Sequence, residues 1–131
     1  MKDTYGRGKT QFFKWTPGRQ GGGYRIAYLW NWLFDLVLIH YPTGSYIHWH
    51  TDPVPKGLKH FRLNIVLVKA NGGDFYCRTM SLNPEGEDGT FWKVGRFVLF
   101  RPDIQPHRVS KIVSGERWVL SIGWTTGRAD K

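Results

Sequence analysis

Short apolar segments, bounded by turn-forming residues, follow one another along this chain and limit the folds it can adopt. β-Branched and aromatic residues dominate the segments, and runs such as PTG, NGG, NPEGEDG and VSGE separate them. The segments are residues 24–30, 35–41, 46–50, 61–69, 74–79, 97–100, 107–109 and 117–124. Their number and spacing predict an all-β domain of about eight strands, built as a sandwich, a jelly roll or a small barrel.

Helical periodicity does not persist for three full turns anywhere in the chain, and only residues 10–15 suggest a short helix. A parallel α/β fold is excluded because its crossover helices are missing from the pattern. The chain has 131 residues, 40% of them hydrophobic and 16% aromatic, which suffices for one core but not for two. We therefore expect a single domain over residues 1–131.

Three features bear on where the protein functions. No apolar run approaches the roughly 18 residues of a membrane span. The N-terminal stretch MKDTYGRGKTQFF lacks the uninterrupted apolar segment of a secretory signal. The single cysteine, Cys77, cannot form an internal disulfide, which fits a reducing compartment, and we expect it to be half-buried in a strand. Together these features predict a cytoplasmic protein with no membrane partner.

The chain is strongly basic. It has 19 lysines and arginines against 10 acidic residues, a net charge of +9. An excess of this sign favours anionic partners, and nucleic acid is one candidate. The basic residues occur singly or in twos along the sequence rather than in a cluster.

The stretch HWHTDP places two imidazoles and a carboxylate at alternate positions, His48, His50 and Asp52. Alternate side chains of an extended strand point the same way, so the three can share one face. Imidazole and carboxylate are common metal ligands. A polar outer face of a surface strand is the alternative interpretation of this stretch alone.

The distal part of the chain adds a histidine and an arginine at a defined spacing. His107 follows the apolar segment GRFVLF, and Arg117 comes ten residues later, at the start of the last segment. Arg117, Val119, Ser121 and Gly123 form one face of that segment, and Trp118, Leu120, Ile122 and Trp124 form the other. Small residues beside a guanidinium favour an anion site inside a cavity, although a solvated arginine at a strand start is the alternative. We expect the bulky face to be buried.

Taken together, a His-x-Asp pair (His50, Asp52), a distal histidine (His107) and an arginine ten residues beyond it (Arg117) resemble the Fe(II)- and 2-oxoglutarate-dependent dioxygenases. The resemblance covers roughly residues 41–124 and is nearest to a minimal, prolyl-hydroxylase-like double-stranded β-helix, or jelly-roll barrel. It implies that His50, Asp52 and His107 bind the catalytic Fe(II). It also implies that Arg117 binds the distal carboxylate of the cosubstrate 2-oxoglutarate, and that Tyr41 points at the same cosubstrate.

The chemistry of such a site accounts for the residue types. Two neutral imidazoles and one carboxylate on one side of a ferrous ion leave positions open for 2-oxoglutarate and dioxygen. A third imidazole, from His48, would take one of these positions, so His48 is left out of the ligand set, either as a surface or core histidine or as a residue near the metal or the substrate. Asn64 is a candidate contact of the cosubstrate, and Arg62, on the same strand face, a candidate contact of the substrate or of a neighbouring acid; an edge-exposed pair is the alternative. Trp49 should point to the opposite face and pack in the core.

The resemblance implies hydroxylation of a peptidyl or free amino-acid side chain, with release of succinate and carbon dioxide. The nucleobase-dealkylating branch carries a second arginine about six residues after the first, where this chain has Gly123. Oxidation of nucleic acid therefore ranks second, and a non-catalytic basic jelly-roll binding module is the remaining alternative. Because the helical layer of the prolyl hydroxylases is largely absent from the sequence, a partner copy is expected to close the uncovered sheet face as a homodimer.

Overall fold

The computed structural model describes residues 12–78 and 91–127, and within them every regular element is a β-strand. The twelve strands are β1 (Thr16–Pro17), β2 (Arg25–Trp32), β3 (Phe34–Tyr41), β4 (Ile47–His50), β5 (Leu58–Val68), β6 (Asn71–Gly72), β7 (Phe75–Cys77), β8 (Phe91–Val94), β9 (Phe97–Phe100), β10 (His107–Val109), β11 (Ile112–Ser114) and β12 (Arg117–Gly127). This confirms the all-β class. In the same ranges there is no helix of the length and apolar character needed to cross a membrane.

The helix predicted for residues 10–15 is wrong where the structure describes it. Residues 12–15 contain a bridge to the edge of β2 and a turn, and Phe13 adopts a positive φ of 61° that no α-helix contains. Thr10 and Gln11 lie outside the described residues. The segment lies alongside β2 instead of forming a helix, because the backbone amide of Phe13 donates a hydrogen bond to the carbonyl of Tyr28.

The strands form two main antiparallel layers. A seven-stranded sheet has the order β1-β2-β3-β12-β5-β9-β8, and a three-stranded sheet has the order β4-β10-β7. A further pair, β11-β6, extends the smaller layer. Buried apolar residues from both layers meet between them: Tyr24, Tyr41, Val109, Ile112 and Val119. Non-consecutive neighbours in both sheets give the crossing connections of a jelly roll, which confirms the predicted double-stranded β-helix.

The last strand, β12, lies between β3 and β5 and pairs with both along most of its length. Its small-residue face, which includes Arg117 and Ser121, is fully buried and points between the layers. The bulky face was predicted to be buried, but Trp118, Leu120, Ile122 and Trp124 are only half-buried. The reason is architectural: this face is the outer surface of the large sheet, over which the described residues place no helix.

One smaller prediction agrees with the structure, and a second agrees in part. Cys77 is half-buried at the end of β7, and burial raises the pKa of its thiol to about 12. Of the predicted NGG turn, Asn71 and Gly72 form strand β6, but Gly72 and Gly73 have φ values of 77° and 68°, the left-handed region that glycine adopts without strain. The turn carries the chain from β6 into β7, which bears part of the site described next.

Candidate metal centre

The three predicted metal ligands are brought together by one strand pairing and one loop contact. β10 pairs antiparallel with β4 so that His107 lies directly opposite His50. Asp52 follows β4 by two residues, and its backbone amide donates to the carbonyl of Pro102 at 2.7 Å. This hydrogen bond ties Asp52 to the loop between β9 and β10, so residues more than fifty positions apart in sequence converge.

The side-chain atoms of these residues face a common point. One nitrogen of His50, one oxygen of Asp52 and one nitrogen of His107 all lie within 4.8 Å of one another. The Asp52 Oδ2 atom is 3.5 Å from His107 Nε2 and 3.7 Å from His50 Nε2. Among the residues that the structure describes, this is the one cluster of three potential ligands.

Backbone carbonyls set the orientation and the tautomer of both imidazoles. His50 Nδ1 lies 2.8 Å from the carbonyl oxygen of His48, and His107 Nδ1 lies 2.9 Å from that of Gln105. A carbonyl only accepts, so each Nδ1 carries the hydrogen and donates it. Each Nε2 can therefore present a lone pair to a cation at the common point, as in many metal-binding histidines whose other nitrogen donates to a carbonyl. Without a cation, a proton on His107 Nε2 can instead bond to Asp52.

The charges of the cluster also suit a divalent cation. Burial alone would raise the pKa of Asp52, but its hydrogen bond with His107 and the charges of His107 and His50 lower that pKa to about 2. Burial, followed by repulsion from His107, lowers the pKa of His50. The carboxylate is therefore anionic and the imidazole of His50 favours its neutral form, as ligation requires. Two imidazole nitrogens and one carboxylate oxygen are the donor set of non-haem Fe(II) sites.

Tyr41 and Arg117 form a buried pair next to the cluster. They are directly opposite on β3 and β12, and the Arg117 guanidinium carbon lies 4.8 Å from the centre of the Tyr41 ring. Burial raises the pKa of Tyr41, while the charge of Arg117 and a hydrogen bond with it act in the opposite direction. Arg117 is only 5% exposed, and no described carboxylate pairs with it.

The two residues line adjoining cavities. Tyr41 lines the cavity that contains the metal cluster, whereas Arg117 lines its neighbour together with Lys93. Asn64 and Phe75 line both cavities and therefore lie at their junction. The solvated alternative for Arg117 is excluded by its burial. Its guanidinium is a buried positive charge that no carboxylate of the described residues neutralises, so it could bind an anionic ligand.

Arg62 and Asn64 belong to one hydrogen-bond network on the inner face of β5 and β12. The Arg62 guanidinium donates to both carboxylate oxygens of Asp35, at 2.8 and 2.7 Å, and to Ser121 Oγ at 2.7 Å. Ser121 in turn donates to Asn64 Oδ1 at 2.6 Å. The neighbouring acid expected for Arg62 is thus Asp35. Asn64 faces the cavity of the metal cluster, as a contact of a cosubstrate would have to do.

The neighbours of His50 in β4 differ from it. His48 is exposed, packs edge-on against Tyr46 and is not part of the ligand cluster. The core position predicted for Trp49 is wrong, because the indole is 45% exposed. Trp49 does point to the side opposite His50, but β4 belongs to a thin three-stranded sheet whose far side faces solvent.

Sequence reasoning missed several residues of the cavity wall, among them His60 and Tyr24. His60 precedes Arg62 and Asn64 by two and four positions on β5, so strand alternation already placed all three on one face. Tyr24 was noted only as a strand residue. It stacks on Tyr41 with ring centres 5.7 Å apart, a contact that no sequence pattern indicates.

No protein-family model matches the sequence, and no curated protein is significantly similar to it. Among solved structures, the chain is similar to a prolyl-4-hydroxylase from Pseudomonas putida, with a TM-score of 0.60 and 18% sequence identity. The similar region covers 88% of this chain and 79% of that protein. The two chains share a fold, and the resemblance drawn from the sequence is confirmed at that level.

Proposed function

We propose that this chain is an Fe(II)- and 2-oxoglutarate-dependent dioxygenase that hydroxylates a peptidyl or free amino-acid side chain. The observation that carries the proposal is the convergence of His50 Nε2, Asp52 Oδ2 and His107 Nε2, with both imidazole tautomers set for ligation. Bound there, Fe(II) would supply the activation of dioxygen: one oxygen atom would enter the succinate formed with carbon dioxide from 2-oxoglutarate, and the other would become the hydroxyl group on a substrate carbon.

The residues of the chain provide the binding environment. Asp52 offsets part of the metal charge, and the two imidazoles complete a neutral set of nitrogen donors. Arg117, buried and without a described carboxylate partner, is assigned to the distal carboxylate of 2-oxoglutarate. Phe100 and Phe75 pack beside the His107 ring, with ring centres 5.0 and 6.1 Å away, and keep water from that side of the centre.

Two features support an amino-acid side chain as substrate. The similar solved structure is a prolyl-4-hydroxylase. In addition, Gly123 occupies the position of the second arginine of the nucleobase-dealkylating branch, and the Arg62 guanidinium fills the space above it: a Cβ at 123 would lie 2.0 Å from Arg62 Nη2. Nucleic acid remains the second candidate substrate because of the net charge of +9.

Anaerobic addition of Fe(II) and 2-oxoglutarate tests the metal centre directly. We expect a weak visible charge-transfer band that requires both additions, and we expect the His107→Ala variant to lose it because one nitrogen donor is gone. His48→Ala is the matched control: it removes an exposed imidazole two residues from a ligand and should keep the band. A band that survives in His107→Ala would contradict the ligand assignment, and no band in the unmodified chain would favour the non-catalytic binding module.

The role of Arg117 has a separate test. We expect Arg117→Ala to weaken the apparent affinity for 2-oxoglutarate by about 10- to 100-fold, since a charge-assisted hydrogen bond contributes roughly 1.5–3 kcal/mol. Iron binding, followed by calorimetry with the metal alone, should be unchanged. Arg117→Lys keeps the charge and should recover part of the affinity. An unchanged dependence on 2-oxoglutarate in Arg117→Ala would remove this residue from the site.

The substrate class is tested by succinate formation in the presence of peptides, free amino acids and oligonucleotides. We expect stimulation above the uncoupled background only with a peptide or an amino acid. Stimulation by oligonucleotides alone would overturn the substrate assignment while leaving the reaction class in place.

A further inference from the structure

The outer side of the three-stranded sheet carries a cluster of aromatic and cationic side chains, hereafter the Trp49 patch: Trp49 on β4, Arg108 on β10, Tyr76 on β7 and Arg78 just after β7. Along each of these strands, successive side chains point alternately toward the metal centre and toward this patch. Trp49 adjoins His50, Arg108 adjoins His107, and Tyr76 adjoins Phe75. The patch therefore lies behind the candidate metal centre on the other side of the small sheet, and Arg108, which also lines the cavity of that centre, is the residue of the patch nearest to it.

The side chains of the patch are stacked on one another. The Arg78 guanidinium carbon lies 5.2 Å from the centre of the Trp49 ring, and that of Arg108 lies 5.7 Å from it. Arg108 is also 4.8 Å from the centre of the Tyr76 ring. Stacking of this kind fixes the guanidinium groups in place before any ligand arrives, which lowers the entropy that a ligand would otherwise have to offset.

Neither guanidinium of the patch pairs with a carboxylate within residues 12–78 and 91–127. Arg108 is half-buried, and its Nε atom is buried with no hydrogen-bond partner. The aromatic rings remain available as well: Trp49 is 45% exposed and Tyr76 44% exposed. Guanidinium groups with no carboxylate partner among the described residues, beside half-exposed rings, can bind both an anion and a flat apolar group.

Single-stranded nucleic acid meets both demands, because its phosphates are anionic and its unpaired bases are free to stack. Base stacking on an aromatic side chain contributes about 1–3 kcal/mol and tolerates any sequence. An acidic peptide would satisfy the guanidinium groups but leave the rings exposed, and a duplex keeps its bases stacked internally. The net charge of +9 adds long-range attraction for a polyanion.

We infer that the Trp49 patch is a binding surface for single-stranded nucleic acid, separate from the metal centre and independent of the reaction proposed for it. Sequence reasoning did not find the patch because its two arginines are thirty residues apart and become neighbours only through the pairing of β7 with β10. Binding to this surface would depend on the phosphate charges and on stacking of the bases, and not on the base sequence.

The test is fluorescence anisotropy with a labelled oligothymidylate of about 15 nucleotides, within the usual site sizes of single-strand binders. The full chain is used without added metal. We expect Trp49→Ala to weaken binding by about tenfold or more while leaving its salt dependence unchanged. We expect Arg78→Gln and Arg108→Gln each to lower the slope of log affinity against log salt by about 0.7, the value for one phosphate contact on a single strand.

Arg25→Gln is the matched control, since Arg25 also lies over a tryptophan, Trp15, at 5.0 Å but belongs to the large sheet. It should change the affinity by less than about twofold, a loss of charge at a site that contacts no phosphate. Circular dichroism and thermal unfolding confirm that each variant is folded. If Trp49→Ala fails to fold, Trp49→Phe, which should keep most of the affinity, and the exposed Arg78→Gln carry the test.

Three results would overturn the inference: no salt-dependent binding by the unmodified chain, an equal loss of affinity in Arg25→Gln, or displacement of the oligonucleotide by an oligoglutamate at the same charge concentration. The last result would identify an acidic-peptide surface instead. None of these outcomes bears on the charge-transfer band, so failure of this inference and failure of the proposed reaction are distinguishable.

Discussion

His60 is half-buried in the wall of the candidate site, and among the described residues one of its ring nitrogens has a neighbour to bond with while the other has none. Its Nε2 lies 3.5 Å from the Arg62 guanidinium, and its buried Nδ1 has no hydrogen-bond partner. Burial, followed by the positive charge of Arg62, lowers the pKa of His60 from 6.5 to about 3. The folded protein therefore keeps this imidazole neutral at pH values where the unfolded chain would protonate it.

This shift makes stability depend on pH in a defined direction. Below pH 6.5 the imidazole of His60 becomes protonated in the unfolded state, whereas in the folded state it stays neutral until the pH approaches 3. Lowering the pH therefore favours unfolding. Between pH 7.5 and pH 5 this single group should lower the free energy of unfolding by about 2 kcal/mol. We expect the midpoint of urea unfolding to fall accordingly over that interval.

The His60→Leu variant isolates the contribution, because all other titrating groups are common to both proteins. The free energy of unfolding of the variant at pH 7.5 can differ from that of the unmodified chain. The quantity to compare is therefore the change in this free energy between pH 7.5 and pH 5. That change should be smaller than in the unmodified chain by about 2 kcal/mol. Equal changes in the two proteins would show that His60 titrates normally in the folded state.

At the scale of the strands, an ion pair between β5 and β3 crosses over the strand between them, β12. Arg62 on β5 reaches Asp35 on β3 across the intervening β12, with Nη2–Oδ2 at 2.7 Å, and both side chains are mostly buried. The guanidinium passes over Gly123, where a Cβ would lie 2.0 Å from Nη2 and 2.5 Å from Cζ. Glycine at position 123 is therefore required by a side chain from the neighbouring strand.

Gly123→Ala is expected to displace the guanidinium and lower the free energy of unfolding by about 2 kcal/mol, between the values for exposed and buried ion pairs. The same substitution in an Arg62→Met background should cost less than about 0.5 kcal/mol, because no guanidinium occupies the space and alanine is no worse than glycine in a strand. Urea unfolding of the four proteins of this cycle measures the coupling. Additive costs would exclude the steric account.

The prediction of strands from sequence succeeded where alternation or an apolar run was strong and failed where it was absent. All eight predicted segments overlap observed strands, and Phe97–Phe100 and His107–Val109 match residue for residue. The missed strands β1, β6, β8 and β11 have two to four residues, and β6 consists of Asn71–Gly72, a turn composition. β1 pairs with β2, β8 with β9, and β6 with β11, and pairings of so few residues leave no local pattern in the sequence.

The candidate site was predictable for a related reason. His50, Asp52 and His107 were found because their types and spacing resemble a known family, and strand parity placed them on inward faces. Strand alternation alone gave a wrong prediction at Trp49. It correctly placed Trp49 on the side of β4 opposite His50, but that side of the small sheet faces solvent and not a core. Which side of a sheet is covered depends on the whole arrangement of layers, so it lies beyond any single segment.

At the scale of the whole molecule, the outer face of the large sheet is a continuous apolar surface. Five adjacent strands contribute to it, from β3 through β12, β5 and β9 to β8. Its side chains are Leu36, Leu38, Trp118, Leu120, Ile122, Trp124, Phe61, Leu63, Ile65, Leu67, Phe97, Leu99, Trp92 and Val94. Several are exposed, among them Trp92 at 48% and Val94 at 55%. Monomeric proteins rarely expose patches of more than a few hundred Å².

The size and the chemistry of this face fit a second copy of the chain. Strands about 4.8 Å apart, each with about 20 Å of length, give roughly 500 Å² of sheet plane, the same order as the roughly 800 Å² that one partner contributes to a stable interface. None of the side chains named above is charged, and the polar residues of the same face, His40 and Lys59, lie near the ends of β3 and β5. Two identical faces related by a two-fold axis would therefore meet at their centres without burying a charge. Stacked antiparallel sheets pack about 10 Å apart in this way.

We therefore expect a homodimer, which light scattering coupled to size-exclusion chromatography would detect as twice the 15.2 kDa of the chain. Leu120→Lys, at the centre of the face, should give a monomer, because pairing would bury two unpaired ammonium groups. Val94→Lys, at the exposed edge, tests the same surface without disturbing the sheet interior. Val113→Lys is the matched control: Val113 is 71% exposed on β11, outside the large sheet, and its substitution should leave the dimer intact.

The melting temperature of the unmodified chain should also rise with protein concentration, as for any folded state stabilised by association. A monomer whose melting temperature is independent of concentration would show that this face is not covered by a second copy.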